Sequence, residues 1–271
     1  MIWCDIGVNL FSNQFDQDRA EVLERAAQAG IGQLLLIGSD IDESKQNVIF
    51  CRQHSGCFSS AGVHPHQAAK VQQDWLLQLS ALLNETEVVA IGECGLDFNR
   101  DFSPRPQQQA VFAEQLQLAS LTNKPVYLHE RDAFDTQLAM LHEQPPAKGV
   151  AHCFTGDISQ LKAWLDLDLY IGITGWLCDE RRGAALRDAV AYIPPDRLLL
   201  ETDAPYLLPR NLAPKPASRR NEPAFLPAIA AMVAQLRQTD ITQLAQQQWQ
   251  NCRRLFNTLP DDVLQRSLSH G

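Results

Sequence analysis

The stretch Val88-Val89-Ala90-Ile91-Gly92-Glu93-Cys94-Gly95-Leu96-Asp97 places a carboxylate at the end of an apolar run. Such a run reads as a strand covered on both faces, as in a parallel sheet. A carboxylate sunk there is costly unless a cation or hydrogen-bond donors meet it, so Glu93 asks for a partner. The same grammar recurs on both sides of it. Apolar runs over 2–8, 33–38, 57–63, 88–92, 125–129, 149–153, 169–174 and 197–202 predict eight strands. Polar groups sit at the ends of most of them: Asp5 and Asn9, His64 and His66, Glu93, His129, His152, Thr174, and Glu201 with Asp203. Helical spacing fills the intervals 16–29, 42–54, 72–83, 107–122, 133–142, 158–165 and 180–192. Eight strand-helix units predict an α/β fold, the (β/α)₈ TIM barrel, which gathers the carboxyl ends of its strands at one face. A doubly wound open sheet would collect ligands at a single switch point, whereas here polar residues follow strands along the whole chain.

Beyond the eighth run, the proline-rich connection 204–223 is expected to form an ordered loop over the barrel mouth, with helices over 224–237 and 241–259. The economical division is one hydrolase domain over 1–260 and a C-terminal tail, 261–271, that frays. At 271 residues, with 45% hydrophobic and 20% charged side chains, the chain can bury a substantial core. No apolar stretch approaches the roughly 20 residues of a membrane span. The start, Met1-Ile2-Trp3-Cys4-Asp5, lacks the basic and apolar regions of a signal peptide. A cytoplasmic protein without a membrane partner is expected, and a monomer fits. The seven cysteines are odd in number and include no C-x-x-C pair, which argues against a disulfide framework or a zinc knuckle. A net charge of −9 opposes tight non-specific binding to duplex DNA, so any contact with nucleic acid must be local.

Histidine, glutamate and aspartate are ligands of divalent ions. A lone histidine at a strand end is more often a hydrogen-bonded core residue. Glu93, His129 and His152 each close a run, however, and their coincidence favours a metal site. Asp203, in Leu200-Glu201-Thr202-Asp203-Ala204-Pro205, is positioned to join the ligands or to act as general base. Glu201 lies on the same face of its strand and can serve behind the ligands. His64 is expected to be catalytic, as a ligand or as a contact to phosphate or leaving group, with His66 less committed.

Four ordered motifs, Gly62-Val63-His64-Pro65-His66, Gly92-Glu93-Cys94-Gly95-Leu96-Asp97, His152-Cys153-Phe154-Thr155-Gly156 and Glu201-Thr202-Asp203-Ala204-Pro205, resemble those of the TatD family of metal-dependent deoxyribonucleases. Further segments, Asp5-Ile6-Gly7-Val8-Asn9 and Ser218-Arg219-Arg220-Asn221-Glu222-Pro223 among them, extend the resemblance over nearly the whole chain. It implies an amidohydrolase-type barrel, Mg²⁺-dependent phosphodiester hydrolysis, and 3′–5′ exonuclease action on single-stranded DNA or RNA with a role in DNA repair.

The chain departs from most of that family at the first strand, where an H-x-H pair supplies two ligands. Here those positions are Gly7 and Asn9. Glycine has no donor and an amide oxygen is a weaker one than imidazole, so one tight site (Glu93, His129, His152) and a second, weak or substrate-dependent one are expected. That pattern favours Mg²⁺ arriving with substrate, with Mn²⁺ or Zn²⁺ open. Catalysis is then assigned to Asp203, His64 and Glu93. Arg131, Arg210, Lys215, Arg219 and Arg220 form the cationic set expected to meet the nucleic-acid backbone, with Arg181 and Arg182 nearby. Phe98, Phe154, Trp176 and Tyr206 are candidates for base stacking or for packing. Two rivals stand beside the nuclease: a small-molecule amidohydrolase or phosphotriesterase, favoured by the acidic charge, and a barrel that only binds, suggested by Gly7 and Asn9.

Overall fold

The computed structural model describes residues 1–258 and 261–264. Eight parallel strands follow one another in sequence order. They are β1 (Trp3–Val8), β2 (Ile31–Leu36), β3 (Cys57–Ala61), β4 (Val88–Asp97), β5 (Val126–Arg131), β6 (Gly149–Ala151), β7 (Tyr170–Ile173) and β8 (Leu198–Leu200). Crossover helices α1 (Arg19–Gln28), α2 (Ile41–Cys51), α3 (Trp75–Leu82), α4 (Arg105–Thr122), α5 (Phe134–Glu143), α6 (Ile158–Asp166) and α7 (Ala184–Val190) connect them. Two more, α8 (Leu226–Arg237) and α9 (Ile241–Phe256), follow the last strand. The ring nearly closes where β8 meets β1: the Asp203 N–H donates to the Gly7 carbonyl at 2.9 Å and the Asn9 N–H to that of Ala204 at 2.8 Å. The TIM barrel read from the sequence is therefore the fold.

Alternation along the strands sorts the buried residues into two sets. Trp3, Leu34, Leu36, Val126, Leu128, Ile171, Leu198 and Leu200 pack with the helices, while Cys4, Ile6, Leu35, Ala90, Tyr127, Val150 and Leu199 form a second cluster with Cys252, Leu255 and Phe256 of α9. α9 stoppers the amino end of the strands: Gln248 bonds both the N–H and the carbonyl of Cys4 (3.2 and 2.6 Å), and Asn251 donates to the Leu198 carbonyl at 2.9 Å. The carboxyl ends are left for the site.

Several boundaries differ from expectation for local reasons. β4 continues to Asp97 instead of stopping at Gly92. One extra residue between Ile91 and Cys94, opposite Val126 to Leu128, makes a bulge, and bulges re-aim side chains. Gly92 and Gly95 take φ of 132° and 139°, and a Cβ there would lie 2.3 Å from the Tyr127 carbonyl oxygen and 1.9 Å from that of His129. Only glycine fits. α7 opens at Ala184, not at residue 180, because Asp179 caps a turn by accepting from the N–H groups of Arg181 and Arg182. α9 stops at Phe256, short of 259, where Asn257 turns left-handed with φ 56°. In the expected tail, the Leu264 N–H donates to the Gly32 carbonyl at 2.7 Å, so residues 261–264 dock beside β2; the remainder, 265–271, lies outside the described residues, as do 259 and 260.

Asp5, inside β1, seals the seam. Its carboxyl accepts from the Thr202 N–H at 2.9 Å and hydroxyl at 2.5 Å and from the Gly7 N–H at 3.2 Å. Complete burial pushes its pKa up to about 8, against the lowering effect of these donors. The folded chain thus holds a proton that the unfolded one loses near the ordinary carboxylate value. Stability is full below that value and declines as pH rises toward about 8. Asp5→Asn, which mimics the protonated acid, is expected to flatten this decline, read as melting temperature between acid and mildly alkaline buffer; an unchanged slope would refute the assignment.

Candidate active site

The β4 bulge turns Glu93 inward to the place where three imidazoles converge. Its Oε1 lies 2.8 Å from His129 Nδ1, 3.5 Å from His64 Nε2 and 3.7 Å from His152 Nε2. His64 caps the 3₁₀ turn Pro65–Lys70, and its Nδ1 accepts the His66 N–H at 3.0 Å. That bond fixes the tautomer with the proton on Nε2, facing Glu93. Burial pulls its pKa down to about 3, with His129 and His66 adding to the effect and Glu93 opposing it, so the ring is a neutral donor. A neutral imidazole with Nε2 beside Glu93 fits ligation as well as contact to phosphate or leaving group.

Behind His129 stands Asp97, whose Oδ2 is 3.3 Å from His129 Nε2 and 2.8 Å from His66 Nε2. Its other oxygen accepts the N–H groups of Asn99 and Arg100. Behind His152 stand Glu201 and Tyr127: Nδ1 lies 2.6 Å from Glu201 Oε2 and 2.6 Å from the Tyr127 hydroxyl, which itself donates to Glu201 at 2.9 Å. A carboxylate on Nδ1 orients the ring and leaves Nε2 to face a ligand, an arrangement common in metal sites. The sequence had suggested Glu201 for such a place. It had not singled out Asp97 or Tyr127, although period-two alternation from Glu93 to Asp97 and from His129 back to Tyr127 carries the signal.

Asp203, half-buried at the mouth with φ 54°, accepts from Asn9 Nδ2 at 2.9 Å. Burial pushes its pKa up to about 7; His152 pulls it down while Glu93 and Glu201 push it further up. Two groups of donor atoms lie within 4.8 Å of one another: His64, Glu93 and His129, and His152, Cys153 and Asp203. The four expected ligands are divided between these groups, Glu93 and His129 in the first and His152 and Asp203 in the second.

The electrostatics test whether a cation fits. Burial opposes charge on both rings, yet the carboxylates beside them outweigh it: Asp97 and Glu93 push His129 up to about 9, and Glu201 with Glu93 pushes His152 up to about 10. Burial would likewise raise Glu93, but the three facing imidazoles hold it well below the usual carboxylate range. The cluster demands positive charge, which a divalent ion supplies when it displaces those protons. Glu93, His129, His152 and Asp203 are suited to hold it. Gly7 shows why one member of the first-strand pair is missing: a Cβ there would lie 2.5 Å from the Tyr127 hydroxyl and 2.7 Å from Glu201 Oε2. Its space is already filled.

Of the cationic set, Arg131 is exposed in register with Asp97 and borders a cavity of about 610 Å³ that also touches Phe98, Thr155 and Trp176. Arg210 reaches Asp179 at 3.2 Å, and Arg182 lies over the Trp176 ring at 4.2 Å. Lys215 and Arg219 are exposed. Arg220 differs from expectation, because its fork is already engaged by Asp18 (2.6 and 2.7 Å), Glu222 (2.8 Å) and the Gln14 carbonyl. Arg25 joins the same carboxylates, and Arg220 holds Asp18 down to about 2. Arg220→Ala is expected to cost about 2 kcal/mol, the scale of lost bonds between charged groups, seen as a lower denaturation midpoint; an unchanged midpoint would remove its structural role.

Residues 4–257 match the family model described as TatD related DNase. The chain belongs to that family. Among curated TatD relatives, the "3'-5' ssDNA/RNA exonuclease TatD" of Klebsiella pneumoniae is 52% identical over 255 residues, covering 93% of this chain and 97% of the relative. The protein of the same name from Salmonella typhimurium is 49% identical over 258 residues, covering 94% and 99%. In structure, a TatD homolog from Escherichia coli superposes with a TM-score of 0.87 at 29% identity over 95% of this chain and 98% of that one. An organophosphorus hydrolase from Deinococcus radiodurans, at 14% identity and TM-score 0.59 over 88% and 83%, shares the barrel fold. No helix among the described residues is long and apolar enough to cross a membrane.

Proposed function

We propose that this TatD-family hydrolase is a Mg²⁺-dependent 3′–5′ exonuclease acting on single-stranded DNA and RNA, with trimming of 3′ ends in DNA repair as its role. The observation that carries the proposal is Glu93 set among His64, His129 and His152, with Asp203 across the mouth. The names of the relatives at about half identity supply the substrate class. Small-molecule hydrolysis has weaker support, since the phosphotriesterase-like barrel is related by fold alone.

Glu93, His129, His152 and Asp203 would hold the cation, which would supply Lewis-acid polarisation of the phosphate and a nucleophile at neutral pH. Asp203, held by Asn9 and poised near neutrality, takes the proton of the attacking water. The His64 Nε2–H donates to the scissile phosphate or to its departing oxygen. Glu201 and Tyr127 keep His152 oriented, and Asp97 does the same for His129. Arg131, Arg210, Lys215 and Arg219 meet backbone phosphates, while Phe98 and Trp176 offer ring faces to unstacked bases beside the cavity. Chain without a second strand is favoured, because the charge of −9 gives a duplex little to hold.

The test is a time course on a 5′-labelled single-stranded oligonucleotide with chelator-treated protein, before and after Mg²⁺ is restored. A ladder shortening from the 3′ end only after restoration is expected. Internal cuts would replace the exonuclease assignment, and cleavage indifferent to chelator would remove the metal.

A further inference from the structure

The aromatic side chains that follow strand ends are not equivalent. Arginines already lie over one face of two of them, Arg105 over Phe98 at 4.4 Å and Arg182 over Trp176 at 4.2 Å, and Phe154 is buried. Phe102 and Tyr206 are 65% and 51% exposed, and among the described residues neither ring lies under a cation or a stacked ring. Both are displayed on loops that are tied down. Beside Phe102, the buried Ser103 hydroxyl donates to the His66 carbonyl at 3.1 Å and accepts the Ala69 N–H at 3.0 Å, and the Ser103 carbonyl accepts from Gln108 Nε2 at 2.8 Å. The Phe102 ring is thereby set edge-on to the His66 imidazole, 4.7 Å between centroids. On the other loop, the Tyr206 N–H donates to the Asp203 carbonyl at 2.9 Å and the Asn221 N–H to the Pro205 carbonyl at 3.0 Å. Rings fixed in advance bind a base without first having to be ordered.

Phe102 follows β4 and Tyr206 follows β8, and in a ring of eight strands in sequence order the fourth and the eighth lie opposite one another. Glu93 and Asp203 come from the same two walls. We propose that Phe102 and Tyr206 form a two-sided clamp that splays the chain at the bond to be cut, the base on one side of the scissile phosphate stacking on Phe102 and the base on the other side on Tyr206. The inference rests on the nuclease reading above and adds how the strand is chosen. Bases held on opposite walls have left each other's stack and cannot stay paired, so a duplex end has to melt before it enters. Every base has a π-face, so the clamp selects single strands without selecting sequence.

The test pairs each ring with each base. Binding of a 5′-fluorescein oligonucleotide with phosphorothioate at its last two linkages, which slows cleavage, is followed by anisotropy in Mg²⁺, with the terminal or the penultimate base intact or removed to leave an abasic sugar. In the native protein each removal should weaken binding roughly 5- to 100-fold, the range of one stacked base. Phe102→Ala should bind the intact strand more weakly by a similar factor and be indifferent to the loss of one of these bases; Tyr206→Ala should be indifferent to the loss of the other. Phe102→Trp and Tyr206→Phe, which keep a π-face, should restore affinity and sensitivity together. Full sensitivity to both removals in either alanine variant, or a native chain indifferent to both, would overturn the clamp. Cleavage of the unmodified strand, run alongside, separates the two readings: trimming from the 3′ end without this coupling removes the clamp alone, whereas coupling without 3′ trimming removes the exonuclease and keeps the clamp.

Discussion

Glu93→Ala should lose nearly all cleavage. Its carboxylate is the one group within reach of all three facing imidazoles, at 2.8 to 3.7 Å, so its loss removes the common anchor of the cation site. Charge stabilisation by a catalytic ion is worth several kcal/mol. At about 1.4 kcal/mol per decade, a loss of roughly 10³-fold or more in kcat/KM follows. Glu93→Gln tests charge apart from shape: it should be nearly as inactive and bind Mg²⁺ far more weakly in calorimetry. Activity within tenfold of native in either variant would mean that the chemistry lies elsewhere.

Asp203→Asn should lose roughly 10² to 10⁴ in kcat, the range that a general base supplies. Asn9 can still donate to the amide oxygen, so position is kept while proton acceptance and the negative charge offered to the cation are lost. The pH profile gives the sharper result. A base pushed up to about 7 is protonated and idle below that value, so the native rate should climb with pH through it. A nearby cation favours the carboxylate and moves the rising limb downward, which a comparison at limiting and saturating Mg²⁺ detects. In the Asn variant this limb should vanish; if it persists unchanged, another group is the base.

Much of the barrel was legible because strands covered on both faces cannot alternate with polar residues, and eight near-continuous apolar runs resulted. Glu93, His129, His152 and Asp203 were legible for the complementary reason: a charged or ligating group directly after such a run needs a purpose. Asp97 was hidden because the apolar run ends at Gly92, whereas the strand uses Gly92 and Gly95 to pass a bulge and continue. Arg220 was assigned to substrate because one-dimensional spacing does not reveal a partner such as Asp18, 202 residues away. The departure from the first-strand pair was visible as Gly7 and Asn9, but the crowding of position 7 by a tyrosine and a glutamate belongs to packing.

The ties across the seam bear on how the chain is made. β1 is made before its partner β8, so its outer edge stays unpaired until β8 has been added. Asp18 and Arg25, set just after β1, meet Arg220 and Glu222 only when the late segment arrives. A nascent chain cut short before β8 therefore carries an open edge, and one cut between 204 and 220 leaves Asp18 and Arg25 without their late partners. Closure of the ring thus ties a segment made early to one made late.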